Sequence, residues 1–252
     1  CLEYNKSFRH IYYYVMTSKN HLNGIDKLIA VAILVVLSAT YIACVCVRVA
    51  ATASPKPDFT VVIDAGHGGI DGGVSGKTSD VRESELNLDI SRKLKDRLES
   101  AGVKVVMTRK TEAGLYGIFS KGFKKRDMQK RMEIANNADP TIFVSVHLNY
   151  YSSPSRRGAQ VFYKIGDNES KILAAKIQNS FNILYNKDYS ALSGDFYVLN
   201  ESKSTAILCE CGFLSNKEDE QLLLTDEYRE KIADKIYEGI EFYRYEVTSK
   251  NT

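Results

Sequence analysis

At 252 residues, 44% of them hydrophobic, the chain has room for one sizeable domain plus an appendage. Its net charge of +3 is spread over interspersed acids and bases, which excludes a nucleic-acid footprint and leaves no nucleic-acid partner to expect. Five cysteines, with Cys44 and Cys46 in an apolar run and Cys209 and Cys211 only two positions apart, do not make a disulfide scaffold.

Residues 28–47 hold 20 consecutive uncharged positions between Lys27 and Arg48. A helix of that length, rising ~1.5 Å per residue, would span a ~30 Å hydrocarbon core. The run exceeds a signal-peptide core of roughly 7–15 residues, so it reads as an uncleaved anchor rather than a leader cleaved near Ala51–Ser54. Lys6, Arg9, Lys19 and Lys27 outnumber Glu3 and Asp26, which places a short segment, 1–27, in the cytoplasm. The expected molecule is therefore a single-pass membrane protein with its large domain outside. Residues 48–58, with Pro55 and Pro57, read as a linker, 59–246 as the folded domain and 247–252 as a tail.

Within the domain, short β-rich runs alternate with helical ones. Thr60–Ile63 predicts a strand. Leu86, Ile90, Leu94 and Leu98 recur every fourth position and predict an amphipathic helix ended by Ala101-Gly102. Val103–Thr108 returns as strand, and a loop holding Gly114, Gly117 and Gly122 leads to a helix over 124–138. Further strands are predicted at Thr141–Val146, Ala159–Tyr163, Phe196–Leu199 and Thr205–Cys209. Two more helix faces follow from Leu173, Ile177, Phe181 and Leu184, and from Tyr228, Ile232, Ile236 and Ile240. This alternation implies a single α/β domain, its mostly parallel or mixed central sheet flanked by helices, preceded by the N-terminal transmembrane helix.

Sheets of this kind place their reactive crevice at the carboxyl ends of the strands. His67, His147 and Glu210 all fall just beyond predicted strand ends. Two imidazoles and a carboxylate suit zinc and leave a fourth position for water. Glu83 or Glu85, where the first loop becomes a helix, can supply that carboxylate, or either can simply favour the positive helix end. Glu210 sits among apolar residues and needs either a function or a partner, Arg109 or Lys203. Partial desolvation would raise its pKa toward the range of a general acid or base. Asn149, two residues after His147, can bind substrate or orient its loop, and Arg109 and Arg131 are secondary candidates for site support. The glycines around His67 lack the spacing of a dinucleotide fingerprint or a phosphate-binding loop.

The stretches Val62–Gly69, Glu83–Leu88, Ser145–Asn149 and Ala206–Asn216 together resemble the zinc-dependent N-acetylmuramoyl-L-alanine amidases, the peptidoglycan-cleaving Amidase_3 family. The resemblance covers roughly 60–245. It implies that His67, Glu83 and His147 bind Zn2+ and that Glu210 is the catalytic carboxylate; the choice of Glu83 over Glu85 rests on aligning Leu86-Asn87-Leu88. Ser84 stands where lysine is common, and Cys209 and Cys211 where aliphatic residues are. Gly114-Leu115-Tyr116 and Gly158–Tyr163 are similar to the sporulation-specific cortex branch of the family. That likeness implies a cell-wall hydrolase of spore-cortex peptidoglycan acting toward muramic-δ-lactam, and an accessory lipoprotein partner as in some clostridial relatives. It also implies a place in the forespore intermembrane space or the mother-cell/forespore envelope. The competing readings are a zinc peptidase or deacetylase of peptidoglycan, and a membrane-tethered wall-binding regulator without catalysis.

Overall fold

The run Thr60–Ala65 forms β1 and is buried at every position, because a central parallel strand is covered on both faces. The computed structural model describes residues 25, 29–38 and 59–249. In chain order the domain continues with α1 (Glu83–Ser100), β2 (Lys104–Met107), α2 (Phe123–Asn137), β3 (Ile142–Asn149) and β4 (Gln160–Lys164). It ends with α3 (Asn168–Tyr185), β5 (Leu192–Gly194), α4 (Tyr197–Glu201), β6 (Thr205–Phe213), α5 (Lys217–Leu223) and α6 (Asp226–Ser249). The six strands are ordered β2-β1-β3-β6-β4-β5. All neighbours are parallel except β4 and β6, which makes the sheet mixed.

Alternation along the strands splits the core between the two faces of the sheet. Val61, Ile63, Val144, Val146, Ile207 and Cys209 pack with α1, α3 and α6, whose fourth-position apolar residues Leu94, Ile177 and Ile236 are fully buried. Val62, Phe143, Ala206 and Leu208 face the other way, onto Met132 and Ala135 of α2 and Val198 and Leu199 of α4.

Two of the predicted elements take other forms. Phe196–Leu199 lies in the short helix α4 and its N-cap rather than in a strand, and β5 comes from the unpredicted, mostly exposed Leu192–Gly194. β3 and β6 also run further than expected, so His147 and Glu210 lie inside strands near their carboxyl ends.

The expected transmembrane helix is corrected. In the unit formed by residues 1–57, the described residues 25 and 29–38 are helical. No helix among the described residues is long and apolar enough to cross a membrane. The single-pass topology, the membrane partner and the envelope location derived from that anchor lose their support with it. The rest of the expected span, residue 28 and residues 39–47, lies outside the described residues, as do the linker and most of the N-terminal segment.

Arg131 of α2 crosses under the first loop and joins it to the sheet. Its Nη1 donates to Asp64 Oδ1 at 2.8 Å and to the Ala65 carbonyl at 2.6 Å, its Nε to Asp127 at 2.6 Å, and its Nη2 to the His67 carbonyl. Burial alone would raise the Asp64 carboxyl, but the Arg131 charge and hydrogen bonds from Thr108 and Arg131 outweigh it and hold it at about 2. Arg131→Met should therefore strand a buried carboxylate and cost roughly 3–5 kcal/mol in urea unfolding of the zinc-free protein. Adding Asp64→Asn should recover part of that loss; equal stability of wild type and the single variant would refute the ion-pair account.

Candidate metal centre

Glu83 opens α1 and is 2% exposed. Its Oε1 accepts from the Leu148 amide at 3.1 Å and from Asn87 Nδ2 at 3.1 Å, and its Oε2 from the Val74 amide at 2.9 Å. Those three donors fix the carboxylate from the sheet, from the next turn of its own helix and from the glycine loop. His147 Nδ1 lies 3.0 Å from Oε1, and His67 Nε2 lies 3.3 Å from Oε2. The two imidazoles meet edge to face, 5.0 Å between centroids. Glu85, the alternative left open by residue type, pairs instead with Arg82 at the surface, Nε to Oε1 2.7 Å.

The backbone that brings His67 here is unusual. His67 has φ +61°, a left-handed conformation that turns the chain sharply out of β1. At Gly66 a Cβ would fall 2.3 Å from His147 Cε1, so only glycine lets that ring lie against the loop.

One donor atom from each of His67, Glu83 and His147 lies within 4.8 Å of the others. Donors ~2.1 Å from one tetrahedral ion stand roughly 3.4 Å apart, so the observed 3.0 and 3.3 Å pairs fit zinc with little movement. The charges fit as well. Burial would raise the Glu83 carboxyl, yet hydrogen bonds and charge from His147 and His67 bring it well below the usual carboxylate range. Burial works against a charged His67, but hydrogen bonds and charge from Asp71 and Glu83 raise it to about 9. A proton thus sits where a divalent cation belongs.

Asp71 is the site residue that spacing did not reveal. Its Oδ2 lies 3.0 Å from His67 Nδ1 and its Oδ1 3.0 Å from Lys124 Nζ, so it fixes the ring from behind, as carboxylates do for metal-bound histidines. Its position four residues after His67, among glycines, was the available signal. Lys124, exposed at the start of α2, is the partner of this carboxylate.

Glu210 stands in register with His147 on the neighbouring strand. Its Oε2 is buried and has no hydrogen-bond partner. Burial pushes its carboxyl up to about 7, with His147 and His67 opposing and Glu83 adding to the rise. It pairs with neither Arg109 nor Lys203. Arg109 is spent on carbonyls, donating to Ala65 at 2.8 Å, Gly66 at 2.9 Å and Ser84 at 2.8 Å, which ties β1 to the start of α1. Arg131 likewise braces the loop from below. Asn149 turns its Oδ1 to the Tyr150 amide at 2.8 Å and borders a cavity beside the cluster.

Two imidazoles and one carboxylate, open on one side beside a buried acid, are the centre of a zinc-dependent amide hydrolase. Residues 61–242 match the Amidase_3 family, N-acetylmuramoyl-L-alanine amidase, and the chain belongs to that family of peptidoglycan amidases. It is 32% identical over 194 residues to the germination-specific N-acetylmuramoyl-L-alanine amidase of Bacillus subtilis, covering 74% of this chain and 80% of the relative. It is 31% identical to the amidase LytC of the same organism, over 76% of this chain and 37% of that longer protein. Among solved structures, the CwlD amidase of Clostridioides difficile in complex with the GerS lipoprotein superposes with a TM-score of 0.70 at 35% identity. That match covers 73% of this chain and 98% of that one.

Zinc loading at pH 7 should release a proton from His67, so calorimetric heats should scale with the buffer's ionisation enthalpy; buffer-independent heats would rule out this competition. The sign follows from the raised value: apparent zinc affinity falls about tenfold per pH unit below about 9 while that proton is bound. In the zinc-free protein the same pairings stabilise the fold fully between about pH 4.5 and 6.5; they fade as pH rises through about 9, where His67 loses its proton, and as pH falls below the ordinary carboxylate values of Glu83 and Asp71. Asp71→Ala should weaken zinc roughly 10–100-fold when measured above that pH, where loss of the buttress is not masked by easier deprotonation. Unchanged affinity there would remove Asp71 from the site.

Proposed function

We propose that the chain hydrolyses the amide between the lactyl carbonyl of N-acetylmuramic acid and L-alanine, with Glu210 as its proton carrier, during spore-cortex synthesis toward muramic-δ-lactam. The observation that carries the Glu210 role is its place in register beside His147 with Oε2 unpartnered. His67, Glu83 and His147 would hold a zinc ion, which would supply Lewis-acid activation of water and of the carbonyl. Glu210 takes a proton from the attacking water as the new C–O bond forms. It returns the proton to the alanine nitrogen as the C–N bond breaks, so the leaving group departs as an amine rather than an anion. Glu83, held by three donors, stays put through this exchange and keeps both imidazoles facing the reacting atoms.

The cortex assignment is supported by likeness to the germination-specific relative and to CwlD. The lipoprotein in the CwlD complex supports an accessory lipoprotein as a partner here too. The similarity to LytC is of the same order, so the substrate class rests on the family and the cortex role on those two relatives.

Glu210→Gln should keep its zinc by elemental analysis and lose at least ~100-fold in turnover of purified peptidoglycan. Unchanged release of intact stem peptide by that variant would end the proton-carrier role. Mass spectrometry of the digest separates the rivals: an amidase frees whole stem peptides, a peptidase cuts within them, and a deacetylase releases acetate. A digest left intact with zinc and a lipoprotein activator supplied would favour a wall-binding regulator. Cortex from cells lacking the chain should contain no muramic lactam; normal lactam content would remove the cortex assignment.

A further inference from the structure

Two cavities adjoin the metal cluster, one lined by His67 and His147 and the other by their neighbour Asn149, and their charges differ in a way that assigns the substrate's direction. One, about 250 Å³, lies over α2 and α4 and is walled by Met128, Phe196, Tyr197, Val198 and Leu208. Its charged members are already matched: Lys124 with Asp71, and Arg131 with Asp64 and Asp127. The other, about 270 Å³, is bordered by Asn149, Arg156, Arg157, Gln160, Tyr189 and Phe213. The groove runs from Asn149, two residues after His147 on β3, across to Gln160 of β4, which is in register with Glu210 on the side away from His147.

Arg157 and Gln160 of this second groove are committed to partners within the protein. Arg157 pairs with Glu218 and, Nε to Oδ1 at 3.4 Å, with Asp219. Asp219 in turn accepts from the Gly158 amide at 2.8 Å and the Phe213 amide at 3.0 Å, which locks the loop to β6. Gln160 Nε2 donates to Gln178 at 3.2 Å and to the Ser190 carbonyl at 2.9 Å. Arg156 has no carboxylate partner among the described residues. Its guanidinium carbon lies 4.4 Å from the centroid of the exposed Tyr151 ring, a cation–π contact that leaves its N–H donors unpaired with any carboxylate.

An unpaired guanidinium recognises carboxylate. In uncut peptidoglycan the lactyl carboxyl is consumed by the amide, and the acetamido sugars carry no other, so every free carboxylate lies on the stem peptide. The free carboxylate nearest the scissile amide is the α-carboxylate of a γ-linked glutamate at the second peptide position, and the groove starts at Asn149, two residues from His147. We propose that the groove headed by Arg156 is the stem-peptide subsite, in which Arg156 binds the free α-carboxylate of a γ-linked second-position glutamate and selects it over its amidated form. The opposite, charge-matched cavity then receives the glycan. This inference rests on the amidase reading given above.

The test compares soluble muropeptides bearing isoglutamate or isoglutamine at position two. Zinc-loaded wild type should favour the acidic substrate by roughly 10–100-fold in kcat/KM, chiefly through KM. Arg156→Ala should erase that preference while leaving the amidated substrate within about twofold, and Arg156→Lys should restore part of it. Equal loss on both substrates, or a preference that survives in Arg156→Ala, overturns the subsite. Titration with the dipeptide L-alanyl-γ-D-glutamate, followed by NMR on zinc-loaded wild type and Arg156→Ala, gives a readout that needs no turnover. Arg156-dependent dipeptide binding without hydrolysis keeps the subsite and sinks the reaction; hydrolysis with Arg156-independent binding does the reverse.

Discussion

The arrangement depends on one carboxylate being unable to move. Glu83 is the first residue of α1, where its charge is favoured by the helix N-terminus, and it is buried among three donors from three separate pieces of chain. A free glutamate would sample many rotamers and choose its own partners. This one presents one oxygen to each imidazole and so sets the distance between two histidines that lie 80 residues apart in sequence. The packing of Leu86, Leu94 and Leu98 against the sheet is what holds that helix start in place. Core burial is thereby converted into metal geometry.

The same logic explains why so many buried charges surround the first loop. A sharp turn at His67 leaves the Ala65, Gly66 and His67 carbonyls without ladder partners, and buried carbonyls need donors. Arg109 and Arg131 supply them, and Asp64 and Asp127 balance Arg131. These arginines are read most simply as the scaffolding of the turn. Their chemistry is structural even though they sit within a few ångströms of a reactive centre, which is why residue type alone could not separate them from substrate-binding groups.

Much of the domain was legible because its signals are periodic. Leu86, Ile90, Leu94 and Leu98 share a buried face, as do Tyr228, Ile232, Ile236 and Ile240, since tertiary packing and helical period demand the same spacing. What escaped was short or context-dependent. Phe196-Tyr197-Val198-Leu199 has β-favouring side chains, but five residues over α2 bury Val198 and Leu199 better as a helical turn. β5 carries no apolar alternation because it is an exposed edge. The apolar run at 28–47 matched a membrane span by length and composition, whereas no helix among the described residues is long and apolar enough to cross one. The metal ligands came from small residues and strand ends together with family likeness. Asp71 needed coordinates, because a carboxylate behind a histidine has no fixed sequence offset.

The mixed topology matters for function in a way that an all-parallel sheet would not reproduce. β4 runs antiparallel to β6, so the chain leaving the carboxyl end of β3 re-enters the sheet at the same edge. The connection, residues 150–159, therefore stays beside the metal ligands instead of crossing to the far end as a helical crossover would. It carries Tyr151 and Arg156 out over the groove, and Asp219 pins its end at Gly158. Reversal of one strand thus places an unpaired cation over the groove that starts at Asn149, a cavity separate from the apolar-walled one over α2 and α4. The two ends of a glycopeptide differ in charge in the same sense, and the direction in which the substrate lies across the sheet follows from that match.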